Sequence, residues 1–85
     1  MEISFTKKAI DEYNSQGDQA KSKIKQLLEL ITTSPFSGIG KPEPLVGNLS
    51  GYWSRRINRA DRLVYRISGT RPNQICTIIQ CKYHY

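Results

Sequence analysis

The spacing of apolar residues changes once along the chain, and this change restricts the fold class. Between residues 18 and 33 apolar side chains recur at intervals of three and four, as on an amphipathic helix. From residue 52 onward they alternate with polar ones, as in strands that cover a core on one side. A glycine- and proline-rich segment, 34–51, separates the two parts and is expected to be an ordered loop. The pattern predicts an α+β fold, with two N-terminal helices packed on one face of a small twisted antiparallel sheet.

The ends of the predicted elements are marked by capping and breaking residues. Thr6 and Asp18 are predicted to cap the two helices, and Pro35 is predicted to end the second. Short connections between the later strands indicate antiparallel neighbours. Strands are expected at residues 2–6, 52–58, 62–68 and 74–83.

Several protein classes are disfavoured by what the sequence lacks. It has no apolar run near the ~20 residues that a membrane span requires. Its first residues, MEISFTKK, do not resemble a signal peptide, so a cytoplasmic protein is expected. Cys76 and Cys81 are five apart in one predicted strand and should point to opposite faces. We expect them to be reduced packing residues, with no metal and no other cofactor bound.

The net charge of +6 is concentrated in the second half of the chain. Residues 1–40 carry five basic and five acidic side chains, whereas residues 41–85 carry eight basic and only two acidic ones. Six of those eight are arginines, whose planar guanidinium suits bidentate contact with phosphate. A nucleic acid is therefore the favoured partner, and simple solubility is the alternative.

Strand alternation predicts which side chains face away from the helices. Along 62–68 it directs Leu63, Tyr65 and Ile67 to the core, and along 52–58 it places Arg55 on the same side as Trp53. In the last strand the expected core residues are Ile75, Thr77, Ile79, Cys81 and Tyr83. The open face should then collect Arg56, Arg62, Arg66, Lys82 and His84. A basic, partly aromatic sheet surface of this kind is typical of RNA-binding modules.

Three side chains suggest chemistry on this face. Glu43 is held between Pro42 and Pro44, which stiffen its backbone. His84 is the only histidine, and its unperturbed pKa lies near neutrality. Taken singly, Glu43 and His84 could be ordinary surface residues, and Arg62 could contact phosphate or pair with Asp61.

Together, a glutamate, an arginine and a histidine match the needs of RNA cleavage by 2′-hydroxyl attack. A base must take the 2′-OH proton, a cation must hold the charge on phosphorus, and an acid must protonate the leaving 5′-oxygen. The sequence shows no carboxylate cluster for magnesium and no phosphate-binding glycine loop. RNA is favoured over DNA because this attack requires a 2′-OH.

Four motifs carry a family resemblance. The stretches GKPEPL, SRRI and RLVY and the terminal YHY resemble the YoeB branch of the RelE toxin superfamily, and the likeness covers residues 1–85 as a single toxin domain. The resemblance implies a ribosome-dependent mRNA endonuclease that cuts in the ribosomal A site. It also implies a cognate YefM-like antitoxin and a possible homodimer.

The resemblance assigns roles by position. Glu43 would be the base, Arg62 the transition-state stabiliser and His84 the acid, while Tyr85 would orient the substrate or stack on a base. Val46 stands where family members often have lysine, which puts one electrostatic contact in doubt. The expected RNA contacts are Lys41, Arg55, Arg56, Arg59, Arg66 and Lys82.

Two other functions stay open at this point. A non-catalytic toxin of the same fold could block the ribosome or poison gyrase, as ParE-type relatives do. A chain that no longer cleaves RNA could be retained as an antitoxin-binding module. Neither alternative requires Glu43, Arg62 and His84 to act together.

Overall fold

The structure, a computed structural model, describes residues 1–82 and confirms the α+β class. The predictions for Tyr83, His84 and Tyr85 lie outside the described residues. The sheet has the strand order β1-β5-β4-β3-β2. The elements are β1 (Glu2–Phe5), α1 (Lys7–Asn14), α2 (Asp18–Thr33), β2 (Glu43–Pro44), a 3₁₀ turn (Gly47–Leu49), β3 (Trp53–Arg56), β4 (Arg62–Ser68) and β5 (Ile75–Gln80).

The helix boundaries follow from local capping. Thr6 Oγ1 accepts a hydrogen bond from the backbone N–H of Ala9 at 3.2 Å, which confirms Thr6 as the cap of α1. The cap of α2 is Gly17, so the prediction for Asp18 is wrong by one position. Asp18 instead lies in the first turn, where its negative carboxylate interacts favourably with the positive end of the helix dipole. No helix within residues 1–82 is both long and apolar enough to cross a membrane.

The core lies between the helices and one face of the sheet. α2 contributes three fully buried side chains, and each such side chain contributes roughly 1.5–3 kcal/mol relative to exposure. The predicted inward residues of β4, Leu63 and Tyr65, are fully buried against them, and Ile67 packs beside this core. The principal core residues are Ala9, Ile24, Leu27, Ile31, Ile57, Leu63, Tyr65, Cys76, Ile78 and Cys81.

The sheet is mixed rather than wholly antiparallel. The consecutive strands β3, β4 and β5 pair antiparallel, as predicted. β2 lies in the segment 34–51 that was expected to be a loop and pairs antiparallel with β3, whereas β1 runs parallel to β5. Short turns determine strand direction only for consecutive strands. β1 is followed in the chain by both helices, so no tight turn fixes its direction.

The inward and outward sets of β5 are the reverse of the prediction along most of the strand. Cys76 and Ile78 are fully buried in the core, whereas Ile75 is exposed and Thr77 and Ile79 are half-buried. Both sets contain isoleucine, so the alternation of polarity is too weak to select a face. The helices pack against the face that carries Cys76 and Ile78, which was predicted to face away from them.

A bulge interrupts the pairing of β5 with β4. Tyr65 lies opposite Ile78 and Val64 lies opposite Gln80, so Ile79 is an extra residue in β5. An extra residue changes the parity of everything that follows it. The bulge therefore returns the next odd-numbered residue, Cys81, to the core.

Both cysteines are free and fully buried on the core side, so the prediction of opposite faces is wrong. Burial raises the pKa of the Cys76 thiol to about 12 and that of Cys81 to about 11, from an ordinary value of 9.0. Burial also raises the pKa of Tyr65, an effect that the Arg55 guanidinium opposes.

These shifts predict how stability depends on pH. The unfolded thiols ionise near pH 9.0, but the folded thiols remain protonated to about pH 11 or above. The folded state thus binds more protons, and the free energy of unfolding should fall as the pH rises above 9. Urea titrations between pH 7 and pH 10.5 measure this. In native protein at pH 8, thiol reagents should modify neither cysteine at the rate seen in urea. A flat stability profile with rapid native modification would contradict the burial of both thiols.

Candidate active site

Glu43 lies on the shortest strand of the sheet. β2 contains only Glu43 and Pro44, and Glu43 pairs with Ser54 of β3. Opposite residues of an antiparallel pair share a face, and their Cα atoms are about 5 Å apart. The Glu43 side chain is exposed, whereas Ser54 is fully buried. The carboxylate therefore lies at the solvent boundary of the face that carries Ser54.

Arg62 begins β4 and reaches the same serine. Its Nε donates a hydrogen bond to Ser54 Oγ at 3.0 Å, and its Nη2 lies 3.5 Å from the backbone oxygen of Lys41. Only 7% of Arg62 is exposed. Ser54 thus links the guanidinium to the strand position opposite Glu43, and the structure brings Glu43 and Arg62 to one region of the sheet.

The guanidinium of Arg62 lies in a cationic environment. Arg62 pairs across the sheet with Arg56, which is exposed. Like charges directly opposite each other destabilise a sheet. Among residues 1–82, the structure gives Arg62 no carboxylate partner. This arrangement is unfavourable for the fold alone, but it favours binding of an anion such as phosphate.

Lys41 connects the loop to this cluster through its backbone. It is exposed and has a φ of 49°, a left-handed conformation that is uncommon for residues with a side chain. The neighbouring Gly40 oxygen accepts a hydrogen bond from the N–H of Arg56 at 2.7 Å, while the Lys41 oxygen faces Arg62. Non-glycine residues in such conformations cost about 1–3 kcal/mol and concentrate at functional sites.

Arg66 extends the cationic face toward an aromatic ring. It is exposed on β4, two positions along the same face from Val64, and its guanidinium carbon lies 5.4 Å from the ring centre of Tyr52. This cation–π contact holds Arg66 beside a flat apolar surface. Val64 itself is fully buried although strand alternation places it on the open face. Part of that face is therefore covered and not accessible to solvent.

Arg59 is exposed in the turn between β3 and β4. The turn is shaped by Asn58, whose Oδ1 accepts hydrogen bonds from the N–H groups of Ala60 and Asp61, both at 2.9 Å. A cavity of about 800 Å³ lies between this turn and the first turns of α2, with Ile57 and Asn58 among its lining residues. None of the predicted site residues within 1–82 lines that cavity.

Arg55 is not a surface residue, so its prediction as an RNA contact is wrong. Its exposure is 0%, and its guanidinium is bonded to Tyr65 and to backbone oxygens of the segment 34–39. The strand pattern had placed Arg55 on the inward side correctly. The error was to assume that an arginine in a basic segment must face solvent.

Lys82 lies beside the end of α1. Its Nζ lies 3.4 Å from Ser15 Oγ, at the C-terminal end of α1. The preceding residue, Cys81, is held by the same helix region: its N–H donates to Glu12 Oε1 at 2.9 Å, and its oxygen accepts from Gln16 Nε2 at 2.6 Å. Lys82 thus has a contact at the end of α1, and its role as an RNA contact stays a prediction. His84 and Tyr85 lie outside the described residues.

Sequence reasoning missed the two groups that orient Arg62. Ser54 was given no role, and the Lys41 backbone oxygen has no sequence signal at all. Val46 is 85% exposed, so it presents an apolar surface next to β2. No group of three or more histidine, cysteine, aspartate or glutamate side chains that could hold a metal ion is found within residues 1–82.

Comparison with known proteins gives a consistent family. Residues 5–85 match the family described as "YoeB-like toxin of bacterial type II toxin-antitoxin system". The chain is 48% identical, over 88 aligned residues, to toxin YoeB of Synechocystis, with 100% of this chain and 98% of that protein covered.

Solved structures agree with the sequence relatives. The chain superposes on a YoeB/ParE toxin from Agrobacterium tumefaciens with a TM-score of 0.95, at 41% identity and 100% coverage of both chains. It also matches Staphylococcus aureus YoeB, solved as a dimer and in complex with YefM, with TM-scores of 0.85 and 0.86. Both matches show 39% identity and cover 100% of this chain and 98% of the other. The arginine-rich face thus belongs to a fold shared along the whole chain with these toxins, and the chain is a member of the YoeB-like toxins of bacterial type II toxin–antitoxin systems.

Proposed function

We propose that this toxin is an endoribonuclease that cleaves mRNA in the ribosomal A site and thereby inhibits translation. The observation that carries the proposal is the fixed guanidinium of Arg62. It is 7% exposed, bonded to Ser54 Oγ at 3.0 Å, and without a carboxylate partner among residues 1–82. A cation held in place before the substrate arrives stabilises developing negative charge without reorganisation.

The proposed reaction needs no redox partner and conserves all atoms. Glu43 accepts the proton of a ribose 2′-OH, and the 2′-oxygen forms a bond to the adjacent phosphorus. Arg62 stabilises the added negative charge on the phosphoryl oxygens. The bond to the 5′-oxygen breaks as His84 donates a proton to it, with Tyr85 orienting the nucleotide. The products are a 2′,3′-cyclic phosphate and a 5′-hydroxyl.

Contacts to the phosphate backbone are assigned to the exposed cations around this centre. Arg56 lies opposite Arg62, Lys41 precedes β2, and Arg66 lies over Tyr52. Arg59 is a further candidate because it is exposed in the β3–β4 turn, between Arg56 and Arg62 in the chain. Each phosphate contact adds to affinity and to its salt dependence without reading base sequence.

We propose that cleavage takes place on the ribosome because Glu43 and Arg56 lie on an exposed surface. An exposed surface does not by itself hold RNA in a strained conformation, so the ribosome is proposed to hold the mRNA in the conformation that is cleaved. A YefM-like antitoxin is proposed to cover or distort the basic face near residues 41–62 and 82–85, and a homodimer is proposed by analogy with the S. aureus relative. Acidic segments that fold on binding suit such a cationic surface.

Primer extension on translating ribosomes tests the proposal. Wild-type toxin should create new mRNA ends within a programmed A-site codon, and His84→Gln should abolish them. Arg71→Gln, which changes an exposed arginine in the β4–β5 loop, is the matched control and should cleave like wild type. Growth arrest without new mRNA ends would overturn the endonuclease. DNA damage in its place would favour a gyrase poison.

A further inference from the structure

Arg55 is a fully buried arginine that the proposed reaction does not use. Its Nε donates to Tyr65 Oη at 3.2 Å, its Nη1 to the Ile39 oxygen at 3.1 Å, and its Nη2 to the Ser37 oxygen at 2.7 Å. Nη2 also donates to the oxygen of Ser34. A single side chain thus reaches three backbone oxygens of the loop that follows α2.

The charge of Arg55 is compensated by this loop and not by an acid. Within residues 1–82 the structure pairs it with no carboxylate. A buried cation is tolerated only where its donors are satisfied, so the carbonyl dipoles of the loop are held to the guanidinium. Lysine could carry the charge, but its single nitrogen cannot contact all the oxygens that the planar guanidinium of Arg55 contacts at once.

We call the contacts of Arg55 with residues 34–39 the brace, and Tyr65 extends this brace to the start of the loop. Its hydroxyl accepts from Arg55 Nε and donates to the Pro35 oxygen at 2.6 Å. Phe36, next in the chain, packs against Trp53 with the rings tilted by 41° and their centres 4.8 Å apart. The loop is therefore attached to β3 and β4 through defined contacts at residues 34, 35, 36, 37 and 39.

The far end of the loop enters the candidate active site. Gly40 packs so closely that an added Cβ would lie 3.3 Å from both Arg55 Cβ and Leu27 Cδ2. Immediately after it, the Lys41 oxygen faces Arg62 Nη2, and Glu43 follows on β2. The position of the loop relative to Arg55 thus determines where the Lys41 oxygen lies against Arg62 and where β2 holds Glu43.

We propose that Arg55 is a positioning residue for cleavage: by bracing residues 34–39 it fixes the geometry between Glu43 and Arg62. The inference rests on the proposed function but adds a residue that does not touch RNA. A purely structural Arg55 would change stability and leave the folded protein fully active. A positioning Arg55 changes the rate of the chemical step in protein that is still folded.

Arg55→Lys tests the idea against Ile31→Val, a control that removes one buried methyl from α2 without touching the loop. Two readouts report loop position independently of activity. One is the fluorescence of Trp53, the only tryptophan, and the other is the Nε–H resonance of Arg62. Arg55→Lys should shift both, and the control should shift neither.

Single-turnover cleavage at saturating ribosomes supplies the catalytic readout. Since misplacement by about 1 Å can cost about 100-fold, Arg55→Lys should reduce the rate by roughly that factor without changing ribosome affinity. Ile31→Val should cleave like wild type. Unchanged spectra, or shifted spectra with a wild-type rate, would overturn the proposal.

A milder variant covers the case in which Arg55→Lys does not fold. Tyr65→Phe removes the hydroxyl between Arg55 Nε and the Pro35 oxygen and keeps the ring in the core. It should shift the same two spectra and lower the rate by a smaller factor, and wild-type behaviour in both readouts would overturn the proposal. If wild-type protein fails to cleave mRNA, the proposed function fails, whereas the spectra still report on the brace.

Discussion

Replacing Glu43 with glutamine should lower the rate of mRNA cleavage by about 10²–10⁴-fold, the usual contribution of a positioned base. Glutamine has nearly the same shape, but its amide cannot accept the 2′-OH proton at neutral pH. Because Glu43 is exposed, the free energy of unfolding should change by no more than about 0.5 kcal/mol. Primer extension gives the rate, and urea titration gives the stability.

Glu29→Gln is the matched control for Glu43→Gln. It removes the same charge from an exposed position on α2, away from the sheet face of Arg62. Wild-type cleavage is expected from the control. If both variants cleave equally well, the base is some other group.

Replacing Arg62 with lysine should reduce cleavage by about 10²–10³-fold, comparable with loss of one preorganised donor at a developing oxyanion. Lysine keeps the positive charge but cannot reproduce the fork that contacts Ser54 Oγ and the Lys41 oxygen. Binding to ribosomes should change much less than the rate, since the net charge is unchanged. Single-turnover assays over a range of ribosome concentrations separate the two.

Two companion variants sharpen the Arg62 result. Ser54→Ala removes the acceptor of the Nε bond and leaves Arg62 itself in place, so it should give a smaller loss in the same assay. Arg71→Lys makes the same exchange at an exposed loop position and should be neutral. An Arg62→Lys protein that is folded and fully active would show that charge alone suffices and that the fixed geometry has no role.

The elements with one strongly apolar side were predictable from the sequence. The stripe of α2 and the alternation of 62–68 each have a single face that can be buried, and β4 has the predicted bounds. Capping chemistry also located the start of α1. In these segments local preference and tertiary packing agree, so the sequence pattern is sufficient.

β5 could not be predicted because both of its faces are apolar. Ile75 and Ile79 compete with Cys76 and Ile78, and a bulge at Ile79 changes the parity partway along. Neither the choice of face nor the bulge has a local signal, since both depend on how β4 and the helices pack. The same holds for the parallel pairing of β1.

The candidate site was predictable in its charges but not in its supports. Glu43 and Arg62 are marked by motif and by charge, and both lie where strand pairing brings them together. Ser54 and the Lys41 oxygen are ordinary in sequence, and Arg55 was assigned the wrong partner. An arginine in a basic segment serves equally as a phosphate ligand or as a buried brace, and only the packing around it decides.

Removing the ribose 2′-hydroxyl from the substrate shows whether that hydroxyl is the nucleophile. Ribosomes are programmed with an mRNA that carries one 2′-deoxynucleotide on the 5′ side of the scissile phosphate, and with the all-ribose mRNA as control. Wild-type toxin should cut the all-ribose mRNA, leaving a 2′,3′-cyclic phosphate and a 5′-hydroxyl, and should leave the 2′-deoxy mRNA intact at that position. Equal cleavage of both mRNAs at the same phosphate would show that the 2′-hydroxyl is not the nucleophile.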